Sequence, residues 1–150
     1  LDRFMFNIWV DYPTYAEELA VVKATTSDRV PDVRPVLSSE EILFFQGLVR
    51  RIPVPDNVME YAVELATRTR PGLNGAPPMI NDHISWGAGP RASQYLVVGA
   101  KCHALVRGRY SPDIEDVQAV AKPILRHRLV RNYKAEAEGI TVDRIVEAIL

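Results

Sequence analysis

An all-α bundle of capped helices, with one short N-terminal strand, is the fold class this sequence predicts, and three observations carry it. Apolar residues recur at helical spacing in successive segments. Polar capping residues or prolines stand at the front of those segments, and a single run, Phe4 to Val10, has the composition of a strand. At 150 residues, 47% hydrophobic and 25% charged, the chain can bury one or two small cores.

Phe4-Met5-Phe6-Asn7-Ile8-Trp9-Val10 is aromatic and β-branched and is bounded by Asp11 and Pro13, which suits a buried strand. One strand cannot make a sheet, so this run needs a partner outside these residues. The chain opens directly into Leu1-Asp2-Arg3-Phe4 without an initiator methionine, which reads as a fragment with an upstream domain cut away. Pro13 is placed to start a helix through Ala16, Leu19 and Ala20, and Thr25 to Pro35 is a polar connection.

Ser38 and Glu41 form a capping box ahead of Ile42, Phe45, Leu48, Val49 and Ile52. Pro53 and Pro55 end that helix, and a second runs from Asp56 through Val58, Ala62, Leu65 and Thr69. The short link predicts that the two pack as an antiparallel pair. Leu73 to Gly89 is rich in glycine and proline and is expected to be a loop. From Pro90 the spacing of Ala92, Tyr95, Leu96, Gly99, His103 and Val106 marks a long helix that Gly108 stops. Ser111 is expected to cap a helix carrying Ile114, Val117 and Ala121, Pro123 to kink or end it, and Thr141 to cap a last helix through Ile145, Val146 and Ile149.

Charge and cysteine usage narrow the function classes. A net charge of −1 supplies no global field to hold nucleic acid or an anionic membrane, no apolar run reaches the roughly 20 residues of a membrane span, and the one cysteine, Cys102, excludes an internal disulfide. A cytoplasmic location is the expectation. The sequence contains no GxxxxGKS/T phosphate loop, no HExxH and no nucleophile elbow. His83, His103 and His127 have spacings that fit no compact zinc site and are expected to be structural.

One charge stands out. In Trp86-Gly87-Ala88-Gly89-Pro90-Arg91-Ala92, Gly89 takes the N-cap and Pro90 the first helical position, so Arg91 is a cation in the first turn. The helix N-terminus carries a positive half-charge, so a cation there loses a few tenths of a kcal/mol or more, and an anion such as phosphate would remove the conflict. A second cationic feature, Lys122, Arg126, His127, Arg128, Arg131 and Lys134, is the best candidate for a nucleic-acid or partner surface.

Leu1-Asp2-Arg3-Phe4, the run to Val10 followed by Tyr12-Pro13, the Gly87 to Ala92 stretch, Gly108-Arg109-Tyr110-Ser111-Pro112-Asp113-Ile114-Glu115-Asp116-Val117 and Leu125-Arg126-His127-Arg128-Leu129 resemble, in order, the C-terminal portion of the MoxR family of AAA+ ATPases. That family usually has serine where this chain has Gly89, a change that retains a tolerable N-cap, and Gly72 to Trp86 matches it less closely.

The resemblance implies a helical lid domain over 36–150, a connecting helix and loop over 13–35 and, over 1–12, the terminal strand of an α/β core whose Walker motifs lie upstream. It implies that Arg91, with Gly89 and Pro90, is the sensor-2 region facing ATP phosphate. It likewise implies that Arg3 is a catalytic arginine finger acting in trans on a nucleotide held by a neighbouring subunit. ATP and Mg2+ are then cofactors of the full-length protein, none being expected on this fragment alone, which is not catalytically competent without the Walker motifs. The implied partners are neighbouring subunits of a ring oligomer and a client protein in chaperone-like remodelling, with no membrane and no nucleic acid. A stand-alone helical protein-interaction module without nucleotide binding is the alternative, supported by the lack of a Walker motif, and a DNA-binding helical domain using 122–134 is the third reading.

Overall fold

The computed structural model describes residues 1–28 and 32–150. The fold is all-α, with one two-stranded ladder of two short strands. Helices α1 (Tyr15–Thr25) and α2 (Ser39–Arg51) begin at capping boxes. Glu41 N–H donates to Ser38 Oγ at 3.2 Å and Ser38 N–H to Glu41 Oε2 at 2.7 Å, so two donors that a helix start leaves open are satisfied reciprocally. At α1 the same exchange joins Thr14 and Glu17, so the cap is Thr14 and the helix starts at Tyr15, two residues beyond the expected Pro13 entry.

The body is built around α5 (Pro90–Val106), which packs against α6 (Ile114–Leu125) and α3 (Asp56–Arg68). Leu65, Leu96, Val117, Ile124 and Leu125 are buried at these crossings, each contributing about 2 kcal/mol by removal from water. α8 (Val142–Glu147), capped by Thr141 as expected, closes on α6 through Ile145 and Val146. The expected α2–α3 pair is not how the helices sort. α3 turns its apolar face to α5 and α6, while α2 leans on α5, because Ile52 to Pro55 redirects the chain in extended backbone.

One further expectation is corrected. The 73–89 segment is not all loop: it contains α4 (Pro78–His83) and β1 (Ile84–Trp86), and β1 pairs antiparallel with β2 (Val130–Arg131), followed by α7 (Tyr133–Ala137). His83 fixes this corner, its Nδ1 lying 3.0 Å from Met79 O and its Nε2 3.0 Å from Glu138 Oε2. Phe4 to Val10, expected to be a strand whose partner lies outside these residues, joins no ladder among the described residues, and Ile8, Trp9 and Val10 are exposed. Its backbone groups are taken instead by the end of α6: Asn7 N–H donates to Pro123 O at 2.8 Å, and side chains of residues 126–128 donate to its carbonyls. Among the described residues no helix is long and apolar enough to cross a membrane.

Candidate functional site at the start of α5

The chain reaches α5 through a backbone pinned on the C-terminal end of α3. Thr69 is buried, its hydroxyl donating to Ala66 O at 2.6 Å and accepting from Ala88 N–H at 2.9 Å, while Arg70 Nε donates to Ala88 O at 2.8 Å. Both polar groups of Ala88 are therefore held. Gly87 lies so close to this turn that a Cβ would stand 2.4 Å from Thr69 O and 2.7 Å from Arg70 Cα, so a side chain is excluded by backbone contact. Gly89 is an extended N-cap with no side-chain cap bond, Pro90 takes the first helical position, and Ala92 is buried one residue beyond Arg91. This arrangement fixes the Arg91 backbone and leaves its side chain about half exposed, at 48%.

The segment from Asp2 to Asn7 docks beside this helix start. Arg91 Nη1 meets Asp2 Oδ2 at 3.0 Å, and Asp2 Oδ1 accepts from Arg128 Nε at 3.1 Å, so one carboxylate bridges an exposed and a buried guanidinium. Arg128 has a side chain only 1% exposed. Its Nη2 donates to Asp2 O at 2.9 Å and to Phe4 O at 2.5 Å, its Nη1 donates to Ile124 O and, at 3.3 Å, to Met5 O, and its guanidinium lies 5.0 Å from the centre of the Tyr95 ring. Burial pulls its pKa down and Asp2 pushes it back up. A buried cation of this kind is tolerable only when fully bonded, so the segment is held by a charge that would otherwise be orphaned. Tyr95, one turn along α5 from Arg91, donates its hydroxyl to Arg3 O at 2.8 Å.

The sequence-predicted residues thus meet at one end of α5. Arg3 has its carbonyl held by Tyr95, its guanidinium 5.3 Å from the neighbouring Phe4 ring, and no ion pair among the described residues. Gly89 and Pro90 shape the helix start and make no side-chain cap bond. The basic segment does not form a free cationic face: Lys122 pairs with Glu147, Arg126 with Asp143 at 2.7 Å, Lys134 with Asp82 at 3.7 Å, Arg131 donates to Ile140 O at 2.8 Å, and Arg128 is buried. The three histidines lie apart, bonded to Glu138, Asp116 and Phe4 O respectively, and no cluster of metal-ligating side chains occurs among the described residues. Cys102 is part-buried, which pushes its thiol pKa up.

Asp2, Tyr95, Thr69 and Arg128 are named in the sequence motifs and helices, but the sequence does not assign their part in this site. Arg128 carried a signal, because Val117, Ala121, Ile124 and Arg128 fall at four-three-four spacing and so place a cation on the buried stripe of α6. Asp116 carried another within Gly108 to Val117. It is buried, accepts a bidentate Arg109 at 2.8 and 2.5 Å, lies 2.5 Å from His103 Nδ1 and accepts from Asp113 N–H at 2.8 Å. Burial pushes its pKa up, but the bonds from Asp113, His103 and Arg109 outweigh that and hold it below the ordinary carboxylate value. The helix cap there is Asp113, with Asp116 as its reciprocal partner, rather than Ser111, whose hydroxyl faces Pro53 O at 3.4 Å.

Comparison with known proteins agrees with this geometry. Residues 78–149 match the model of the AAA lid domain. The uncharacterized protein YeaC of Bacillus subtilis is 31% identical over 100% of this chain and 44% of its own length. The chaperone MoxR1 of Mycobacterium tuberculosis is 32% identical over 99% of this chain and 39% of its own length. A crystal structure from Cytophaga hutchinsonii, presented as a candidate ATPase, superposes with a TM-score of 0.87 at 32% identity, covering 99% of this chain and 45% of that one. The chain spans less than half the length of each of these proteins, and over that span it is similar to the MoxR-like AAA+ ATPases, with residues 78–149 matching the helical lid.

Proposed function

We propose that this chain is the nucleotide-responsive part of an ATP-driven, chaperone-like remodelling oligomer, with Arg91 as its sensor-2 arginine and Arg3 as an arginine finger directed at a neighbouring subunit. The observation that carries the reading is the setting of Arg91. It is a first-turn cation on a backbone pinned to α3, half exposed, and paired among the described residues only with Asp2, itself 54% exposed. A pair so open to water is worth at most about 1 kcal/mol, so phosphate oxygens, which a guanidinium bonds bidentately, would displace it at small cost.

In this reading residues 1–12 are the last piece of an α/β core, 13–35 connect it to the lid, and 36–150 form the lid, of which 78–149 is the part that matches the family model. The core would hold ATP with its Mg2+, which supplies the transferable phosphoryl group. Arg91, with Gly89 and Pro90 setting the helix start, would bind its phosphate from the lid side. Arg3 would stabilise the departing charge in the next subunit of a ring, a role worth about 10³-fold or more in rate where arginine fingers act. A cytoplasmic location and a protein client complete the proposal. A protein-interaction module is the second reading, favoured by the exposed Leu43, Phe44 and Phe45 on α2.

ATP turnover by the full-length protein with Arg91→Ala and with Arg3→Ala tests the assignment. Turnover is expected to fall roughly 10²-fold for Arg91 and about 10³-fold for Arg3. Addition of Arg3→Ala subunits to wild type should depress turnover by more than dilution does. Unchanged turnover in both variants would leave the interaction-module reading in possession.

A further inference from the structure

Asp2 precedes Arg3 in the chain, and its carboxylate bonds both Arg91, which the proposed function uses, and the buried Arg128. One carboxylate oxygen takes Arg91, the other takes Arg128, and Arg128 in turn holds the carbonyls of Asp2, Phe4 and Met5 on either side of Arg3, whose own carbonyl is bonded by Tyr95. Arg91 and Tyr95 lie four residues apart on the same face of α5. The lid helix that bears Arg91 and the segment that bears Arg3 are thus joined through one exposed ion pair and one buried clamp, and they differ in how easily they part. The Arg128 clamp is out of water and would leave an orphaned charge if opened, whereas the Asp2–Arg91 pair is half exposed and costs little to exchange.

We propose that Asp2 is a positioning residue that competes with nucleotide phosphate for Arg91: in the nucleotide-free chain it holds Arg91 against the 2–7 segment, and phosphate binding exchanges that pair and releases the carboxylate next to Arg3 while the Arg128 clamp stays closed. The proposal rests on the sensor-2 reading of Arg91 and adds to it a route from one subunit's own nucleotide to the finger it presents to the next. The route is a discrete two-state contact, as coupling requires, rather than a path of intervening residues.

The competition has a signature that a merely structural aspartate lacks. In full-length Asp2→Asn, Arg91 loses its competitor, so the affinity for a non-hydrolysable ATP analogue should tighten about threefold, the size expected for one exposed pair. Turnover at saturating ATP should fall about tenfold, because Arg3 is no longer set by the state of Arg91. Asp2→Glu, which retains the carboxylate, should recover most of both. Asp2→Ser, which leaves every bond from Arg128 to the backbone carbonyls in place, is expected to show the same opposite movement of affinity and turnover, so the test survives if Asp2→Asn alone folds poorly. Affinity and turnover that weaken together in both variants, or that both stay at wild-type values, would overturn the proposal. If Arg91→Ala and Arg3→Ala themselves leave turnover intact, it is the sensor-2 reading that fails; if they abolish it while Asp2→Asn changes nothing, only the coupling fails.

Discussion

The helices of the first 51 residues are, taken together, more completely capped than those of the remainder of the chain, and less buried. α1 and α2 start at complete capping boxes, yet no described residue before Ile52 is buried, and Val22, Leu43, Phe44 and Phe45 stand in water. From Ile52 onward, α3, α5, α6 and α8 close a continuous core. Caps are local chemistry and form wherever the right residues lie three apart. Burial needs a partner surface, and helices of 11 and 13 residues are marginal in water without one. The Asp2 to Asn7 segment sits between these extremes, held by polar bonds to Arg91, Tyr95 and residues 123–128, with Met5 packed against the core.

The contrast can be broken most sharply by matched truncations. Leu96→Ala, at the buried crossing of α5 with its neighbours, should cost about 3–4 kcal/mol in denaturant unfolding. Phe44→Ala, a larger truncation on α2, should cost about 0.5 kcal/mol or less. A comparable loss at both sites would mean that α2 shares the core after all. A somewhat smaller effect is expected at Asp116, whose partners reach it from α5 and from the turn before α6. Asp116→Asn should cost about 2 kcal/mol, below the full penalty for breaking a buried pair because Arg109 is partly exposed. The sign of its pH dependence follows from its depressed pKa. The unfolded chain takes up the proton more readily, so the carboxylate's contribution is complete above the ordinary value of about 4 and is lost as pH falls through the lower folded value. Unfolding free energy measured between neutral and acid pH should therefore fall less steeply in Asp116→Asn than in wild type, and parallel curves would refute the assignment.

What could be read from the sequence follows the same division. Ser38 with Glu41, Thr141, Pro90 and the apolar stripes of α3, α5 and α6 are visible because each depends on residues within one or two turns. α4 and the β1–β2 ladder are not, since six residues of helix and two or three of strand are specified by partners such as Glu138 and Arg131 roughly 50 positions away. Phe4 to Val10 has the composition of a strand but joins no ladder among the described residues, where Arg126, His127 and Arg128 take carbonyls of that run. Arg91 was legible because a first-turn cation conflicts with the helix dipole at its own position. Its partner Asp2, 89 residues away, carried no local mark.

The account turns on Arg91 reading the terminal phosphate rather than decorating a helix start. The affinity of the full-length protein for ATP relative to ADP, compared between wild type and Arg91→Ala, tests that directly. A guanidinium on the γ-phosphate should make wild type prefer ATP by about tenfold or more, the scale of one charge-assisted bond, and Arg91→Ala should erase most of that preference while leaving ADP affinity near its wild-type value. An ATP preference that survives Arg91→Ala undiminished would contradict the account.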